Sequence, residues 1–430
     1  VNTEHVLDIL KERGFIEKMT DEDGIRALLS EPTACYIGFD PTAPSLHAGS
    51  LEPIMSLMHM ERCGHRPIVV LGGGTGLVGD PSGKTELRRV MSREEIDANA
   101  QALKGQLSRY LDFGPNGALL LNNADWLCSL NLIDFLRDIG RHFSVNRMLT
   151  AESYRLRLEQ ESGLSFIEFN YMLLQAYDFW YLYKHHGCML QMGGSDQWGN
   201  IVAGIDLARR LDGVQLYGLT FPLLVTRSGA KMGKTASGAL WLDPERTSPY
   251  EFYQYWMNVD DDDVERFLAI FTFLPMDEVR RLGRLRAEES RQAKEVLAFE
   301  ATRITHGEAK ALEAREASRS LFGGKSRGEA GRGGAGEGTP ATAGGVPTTD
   351  LNASLLDAGI PAWQLFQMVG LCSTRAQARR LIQQGGGYVN ERRLVAFDER
   401  ITRDDLRQGG ILLRAGKKRY HRVKIKGEGL

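Results

Sequence analysis

Cysteine is sparse in this chain of 430 residues: five, at Cys35, Cys63, Cys128, Cys188 and Cys372, with no CxxC pair among them. That pattern supplies neither a zinc-ligand set nor a disulfide framework, and it points to buried thiols in a reducing compartment. Long hydrophobic runs are missing too. No stretch reaches the roughly 18 apolar residues of a membrane span, and the N-terminus opens on acidic, helix-like sequence without an apolar signal core. The expectation is a cytoplasmic protein that meets no membrane. Charge of one sign is also lacking. The net charge of −2 excludes a uniformly basic nucleic-acid coat but leaves room for a local basic patch.

What is present is ordinary globular material, 42% hydrophobic and 25% charged, in a chain long enough for two to four domains. One run stands out, Tyr36-Ile37-Gly38-Phe39-Asp40-Pro41 through Ser45-Leu46-His47-Ala48-Gly49-Ser50. It begins as a buried strand, breaks at Asp40-Pro41 and restarts as a helix near His47. A strand feeding a helix N-terminus presents N–H groups and a positive dipole end to an anion. His47 adds a donor there, and Gly49 removes a side chain that would block a nucleotide. Pro53 in the same helix predicts a kink or an early boundary. Far downstream, Lys231-Met232-Gly233-Lys234-Thr235 follows the apolar run Leu219 to Val225. Its two lysines and hydroxyl could grip a polyphosphate.

Two glycine-rich patterns compete for the nucleotide. Gly74 to Gly79 is a literal GxGxxG after the apolar strand Pro67–Leu71, but the following interval, Leu87 to Leu107, reads as polar helix and not as the strand a dinucleotide fold needs. Gly79 to Thr85 is one residue short of a P-loop and has no strand directly before it. The P-loop reading is set aside, and the dinucleotide reading stays as a minor rival.

Tyr171, Gln175 and Asp178 fall at i, i+4 and i+7, so a phenol, an amide and a carboxylate share one helix face. Leu119–Asn123 and Gly187–Met192 read as strands ending in polar loops, and Leu130–Ile139 as a helix. After the second of those strands, Gly193 and Gly194 permit close backbone approach and Asp196 could accept from ribose hydroxyls. Strands alternating with helices argue for a parallel sheet with its site at the strands' carboxyl ends. From about Ser248 the pattern turns helical, with Phe252, Tyr253, Tyr255 and Trp256 as core and Asp260–Asp263 as a solvated turn. Residues 323–349 are rich in Gly, Ala, Thr and Pro and read as a flexible linker. Beyond it lie a capped basic helix at Ser373–Ile382 and a basic, Tyr-bearing end at Arg414–Lys426, suited to RNA phosphates.

Taken together and in this order, the two nucleotide runs resemble the HIGH and KMSKS signatures of class I aminoacyl-tRNA synthetases. Tyr36–Asp40, Gly79-Asp80-Pro81, Tyr171–Asp178 and Gly193–Asn200 are similar to the tyrosyl-tRNA synthetase family of the bacterial or organellar type. The similarity covers nearly the whole chain apart from the linker. One position departs: Ser50 ends the HIGH-like motif, leaving His47 as its only imidazole. The resemblance implies an α/β, Rossmann-like parallel-sheet catalytic domain at 1–245, with a dimer-forming connecting region near 126–165. A helical domain for the anticodon end of tRNA at 246–322 and the linker at 323–349 come next, then a small α+β alpha-L type RNA-binding domain at 350–430.

It further implies that Tyr171 and Gln175 hold the α-ammonium of tyrosine with Asp80, that Asp178 and Tyr36 bind its phenol, and that Gln197 belongs to the same set. ATP would meet Asp40, His47, Gly49, Ser50, Gly194, Asp196, Lys231 and Lys234. His47, Lys231, Lys234 and Thr235 would stabilise the displaced phosphates. The expected partners are L-tyrosine, ATP with Mg2+, tRNA(Tyr) and a second copy of the chain, with no tightly bound cofactor and no protein-held metal. A tryptophan-specific relative, a non-catalytic RNA-binding scaffold and a nicotinamide oxidoreductase are the rival readings.

Overall fold

The computed structural model describes residues 4–82, 91–159, 163–227, 229, 232–235, 238–322, 346–407, 410–416 and 419–426. Two compact units result, residues 1–246 with 260–293, and residues 247–259 with 294–430. The helical block expected at 246–322 is therefore divided. Val264–Phe271 and Met276–Gly283 fall in the first unit, Pro249–Met257 and Glu308–Phe322 in the second. Arg13 shows why the first pair belongs where it does: its buried guanidinium donates to the carbonyls of Ala269, Thr272 and Leu274 at 2.8, 3.0 and 2.5 Å.

The first unit is built on a six-stranded sheet of β1 (Lys18–Met19), β2 (Ala34–Phe39), β3 (Arg66–Leu71), β4 (Leu119–Asn122), β5 (Leu190–Gly194) and β6 (Tyr217–Phe221), in the order β1-β6-β5-β2-β3-β4. Every pair is parallel except β1 with β6. Ile68 to Leu71 of β3 are all buried, as a strand covered on both faces requires. Two strand expectations shift at their ends. Gly187 is the left-handed cap of the helix Tyr171–His186, with φ of 64°, so β5 starts only at Leu190. β6 stops at Phe221 because Pro222 has no N–H for the ladder. Pro53, by contrast, sits in the first turn of the helix Leu51–Arg62, where no partner is needed for its nitrogen. Gly74–Gly79 forms one helical turn, Thr75–Val78, and the next strand is the distant β4, which removes the dinucleotide geometry. The P-loop-like segment beyond Ser82 lies outside the described residues. A short hairpin, β7 (Lys234–Thr235) with β8 (Gly238–Ala239), completes this unit's strands.

All five cysteines are free, as expected, but Cys128 is exposed instead of buried. Asp263 also departs from the expected solvated turn: it is 5% exposed, accepts from Arg227 N and pairs with Arg266.

In the second unit Phe252, Tyr253 and Trp256 are fully buried. Its sheet holds β9 (Thr348–Leu351), β11 (Gly387–Val389), β12 (Arg392–Arg393), β14 (Ile411–Ala415) and β15 (Arg419–Ile425), ordered β12-β11-β14-β15-β9; β10 (Ile360–Pro361) pairs separately with β13 (Arg400–Ile401). Leu365, Phe366, Ala378 and Ile382 from two helices fill the core against Val389, Leu413 and Val423. The basic helix Arg375–Gln383 is capped by Thr374, which accepts from Gln377 N. Residues 323–345 of the expected linker lie outside the described residues, whereas Val346 is buried with Tyr250 and Ala317, and β9 begins at Thr348.

Candidate active site

β2 and β5 share two register pairs, Cys35 with Leu190 and Tyr36 with Gln191, and no further pair follows. The sheet opens there, at the carboxyl ends of its two central parallel strands, which is where such sheets hold ligands. A cavity of about 290 Å³ fills the opening, walled by Ile37–Asp40 on one side and Met192–Gly194 on the other.

Its floor is polar and buried. Tyr36 is 2% exposed, and its hydroxyl has no hydrogen-bond partner among the described residues. Asp178, 3% exposed, lines the same cavity. Burial pushes the Asp178 carboxyl up to about 7. Two donors work against that shift, Trp126 Nε1 to Oδ1 at 2.7 Å and Asn123 Nδ2 to Oδ2 at 2.9 Å. Burial, and then the nearby Asp178 charge, raise the Tyr36 phenol well above its ordinary value, so it remains a neutral donor. A carboxylate oxygen has two lone pairs, so Asp178 can accept one more proton donor. A guest hydroxyl arriving here would donate to Asp178 and accept from Tyr36.

From the floor a chain of hydrogen bonds climbs the wall. Asn123 Nδ2 also donates to Thr75 Oγ1 at 2.9 Å, Thr75 Oγ1 donates to Asp40 Oδ1 at 2.8 Å, and Tyr171 Oη donates to Asp40 Oδ2 at 3.0 Å. A second network forms at the other side. Gln197 Nε2 donates to Asp80 Oδ2 at 2.7 Å, while Asn200 Nδ2 donates to Gln175 Oε1 at 3.0 Å and Gln197 Oε1 at 3.2 Å. A carboxylate and three amides held by one another make a preorganised seat for an ammonium group.

A second cavity of about 400 Å³ adjoins the first, sharing Gly49, Pro53 and Gly194 with it. His47, Asp196, Leu223, Leu224, Met232 and Gly233 line it. His47 caps the turn Ala48–Ser50, its Nδ1 accepting from Gly49 N at 3.0 Å. An accepting Nδ1 places the proton of the neutral ring on Nε2. Here the two distant signatures meet. Ala48 N donates to Leu240 O at 2.8 Å, and a Cβ on Gly49 would stand 2.8 Å from His47 Cε1 and 3.3 Å from Met232 O.

The first cavity thus gathers Tyr36, Asp80, Tyr171, Gln175, Asp178 and Gln197 with Asp40, Gly49, Ser50 and Gly194; the second gathers His47 and Asp196 with Gly49 and Gly194. Lys231 lies outside the described residues, and Lys234 and Thr235 are described as backbone of β7 only. Sequence reasoning missed Thr75, Asn123, Trp126 and Asn200. The available signal was the polar doublet Asn122-Asn123 at the carboxyl end of β4.

Comparison with known proteins gives the family. Residues 29–323 match the family of class I tRNA synthetases (W and Y), and residues 341–423 match the SYY-like C-terminal domain of tyrosine–tRNA ligases. The chain is 58% identical over 434 residues to a tyrosine–tRNA ligase of Desulfosudis oleivorans, covering 98% of this chain and 99% of the relative. It is 57% identical over 427 residues to that of Desulfatibacillum aliphaticivorans, covering 97% and 98%. Among solved structures, a C-terminally truncated mitochondrial tyrosyl-tRNA synthetase of Aspergillus nidulans aligns with a TM-score of 0.67 at 32% identity, covering 74% of this chain and 94% of its own.

Proposed function

The chain belongs to the class I tRNA synthetases (W and Y) and joins tyrosine to tRNA, and from that premise we propose how its own residues do so. ATP is the second substrate. The first cavity takes tyrosine, phenol down, with its hydroxyl between Tyr36 and Asp178 and its ammonium among Asp80, Tyr171, Gln175 and Gln197. The second takes ATP, with adenine against Leu223 and Leu224, ribose toward Asp196 and Gly194, and phosphates toward Asp40, His47, Gly49 and Ser50. Lys231, Lys234 and Thr235 join His47 at the departing diphosphate. Mg2+ enters with the nucleotide, held by phosphate and water oxygens.

In the first step the tyrosine carboxylate attacks the α-phosphate in line, forming tyrosyl-adenylate and releasing diphosphate. In the second, a hydroxyl of the terminal tRNA ribose takes the tyrosyl group and AMP leaves. The substrate carboxylate is itself the nucleophile, so the chain's task is to align it and stabilise phosphate charge. Shared lining of the two cavities supports that alignment, because Gly49 and Gly194 border both guests.

The observation that carries the assignment is the enclosed Tyr36 hydroxyl, without a partner among the described residues, beside a carboxylate already taking two donors. Phenylalanine would leave both groups unsatisfied. Tyrosyl-tRNA synthetases are themselves the standard example of such rejection, at about 10⁵-fold, a magnitude that belongs to the family and is carried over to this site. Amino-acid-dependent pyrophosphate exchange across the twenty amino acids tests the reading. Tyrosine alone should support it, and Tyr36→Phe should lower kcat/KM for tyrosine about three- to tenfold while narrowing the preference over phenylalanine. An unchanged preference would remove Tyr36 from the phenol site.

Residues 126–165 and the turn after them support self-association. Leu132, Ile133, Val145 and Phe166 are exposed, Phe166 by 81%, an apolar area that suits an interface between two copies. Residues 346–426 support RNA contact: Arg375, Arg379 and Arg414 lie over the rings of Trp363, Phe397 and Tyr388, and β15 adds Arg419, Arg422 and Lys424. Among the described residues no helix is long and apolar enough to cross a membrane, and the cytoplasm is the compartment in which we place this chemistry.

A further inference from the structure

One buried acid takes no part in the reaction described above. Glu52 lies in the first turn of the helix Leu51–Arg62 and lines the second cavity with Leu223, Leu224 and Met232. It is 6% exposed, and its Oε1 is enclosed with no hydrogen-bond partner among the described residues. Leaving a carboxyl oxygen enclosed and unpaired costs stability, so a groove that keeps one invites a ligand able to complete it. Its neighbours in the groove are chiefly apolar or backbone, the lining expected around a flat heteroaromatic ring.

We propose that Glu52 reads the base of the nucleotide, its carboxyl pairing with the exocyclic amine of adenine and the adjoining ring nitrogen. This rests on the second cavity being the nucleotide cleft. The protonation state fits. Burial pushes Glu52 up to about 8, against the opposing pull of Arg266, so at neutral pH the group is largely the uncharged acid. An uncharged carboxyl offers one donor and one acceptor side by side, the pair that complements an amine next to a ring nitrogen. An uncharged acid also avoids placing a buried anion beside a triphosphate. Position in a helix's first turn would stabilise the anion instead, but with Oε1 enclosed and unpaired, burial prevails.

The test compares ATP with purine riboside triphosphate, which lacks only the amine, in tyrosine-dependent pyrophosphate exchange. The intact enzyme should favour ATP about tenfold or more in kcat/KM, as expected when one buried hydrogen-bonding group is left unpaired by the analogue. Glu52→Gln, which keeps a donor and an acceptor, should hold that ratio within about threefold, whereas Glu52→Leu should bring the two nucleotides within about threefold of each other. A Leu variant that keeps the full preference for ATP overturns the proposal. Gly49→Ala separates this from failure of the cleft itself, because its Cβ would crowd His47 and Met232 within the same cavity. If Gly49→Ala leaves KM for both nucleotides unchanged, the cleft assignment falls and Glu52 with it. If it raises both while Glu52→Leu keeps the ATP preference, the Glu52 assignment alone falls.

Discussion

Two buried carboxyls define this molecule at the scale of single residues, and they are buried for different ends. Asp178 is raised to about 7 although two donors hold it, whereas Glu52 is raised to about 8 with no donor to its enclosed oxygen. An acid whose folded pKa exceeds its unfolded value contributes most below the unfolded pKa and loses that contribution as pH rises to the folded one. For Glu52 the window runs from its ordinary 4.5 to about 8. Glu52→Gln does not ionise, so its melting temperature relative to the parent should climb between pH 5 and pH 8, by about 2–5 °C, and level off above. A difference that stays flat across that range would mean the carboxyl is solvated. Asp178 has the same sign, but its two donors fix it as an acceptor, and substitution there would strand Trp126 and Asn123 as well.

At the scale of elements, the site depends on a helix start and a loop meeting across more than 180 residues of chain. Gly233 has φ of 78°, and a Cβ there would lie 2.9 Å from Gly49 N. Gly233→Ala should therefore cost about 1–2 kcal/mol locally and raise KM for ATP roughly tenfold, leaving tyrosine affinity near that of the parent. Equal losses in both substrates would show a general unfolding of the sheet ends. Much of this scale was legible beforehand. Apolar strands broken by Pro, Gly and Asn announced the parallel sheet, and the spacing of Tyr171, Gln175 and Asp178 put three cavity residues on one helix face. Strand ends were less legible, because Gly187 and Pro222 act through backbone geometry that an apolar run conceals. The chain Asp178–Asn123–Thr75–Asp40–Tyr171 was not legible at all. Its two ends sit on the helix Tyr171–His186, but Asp40, Thr75 and Asn123, which link them, come from three separate strand ends, each unremarkable in its own segment. Glu52 was hidden for a related reason: a first-turn glutamate normally reads as a solvated helix start, and only packing reveals that it is enclosed.

At the scale of the whole molecule, the expected functions separate along the chain. Removing residues 346–430 should keep tyrosine-dependent exchange within about threefold while lowering tRNA charging by tenfold or more, since the phosphate contacts go with the basic module. Unaltered charging would make that module irrelevant to tRNA. Ile133→Asp together with Phe166→Asp should convert a dimer to a monomer in sedimentation, because a charge in an apolar interface is left unpaired; an unchanged mass would move the self-contact elsewhere. The hydroxyl of Tyr36 has a consequence at this scale too. On the proposed assignment the tyrosine hydroxyl completes the buried Tyr36 hydroxyl, which has no partner among the described residues, so tyrosine should stabilise the folded form by mass action. Added tyrosine should therefore lengthen the half-life of the folded chain toward a protease, and a half-life that does not change would place the amino acid elsewhere.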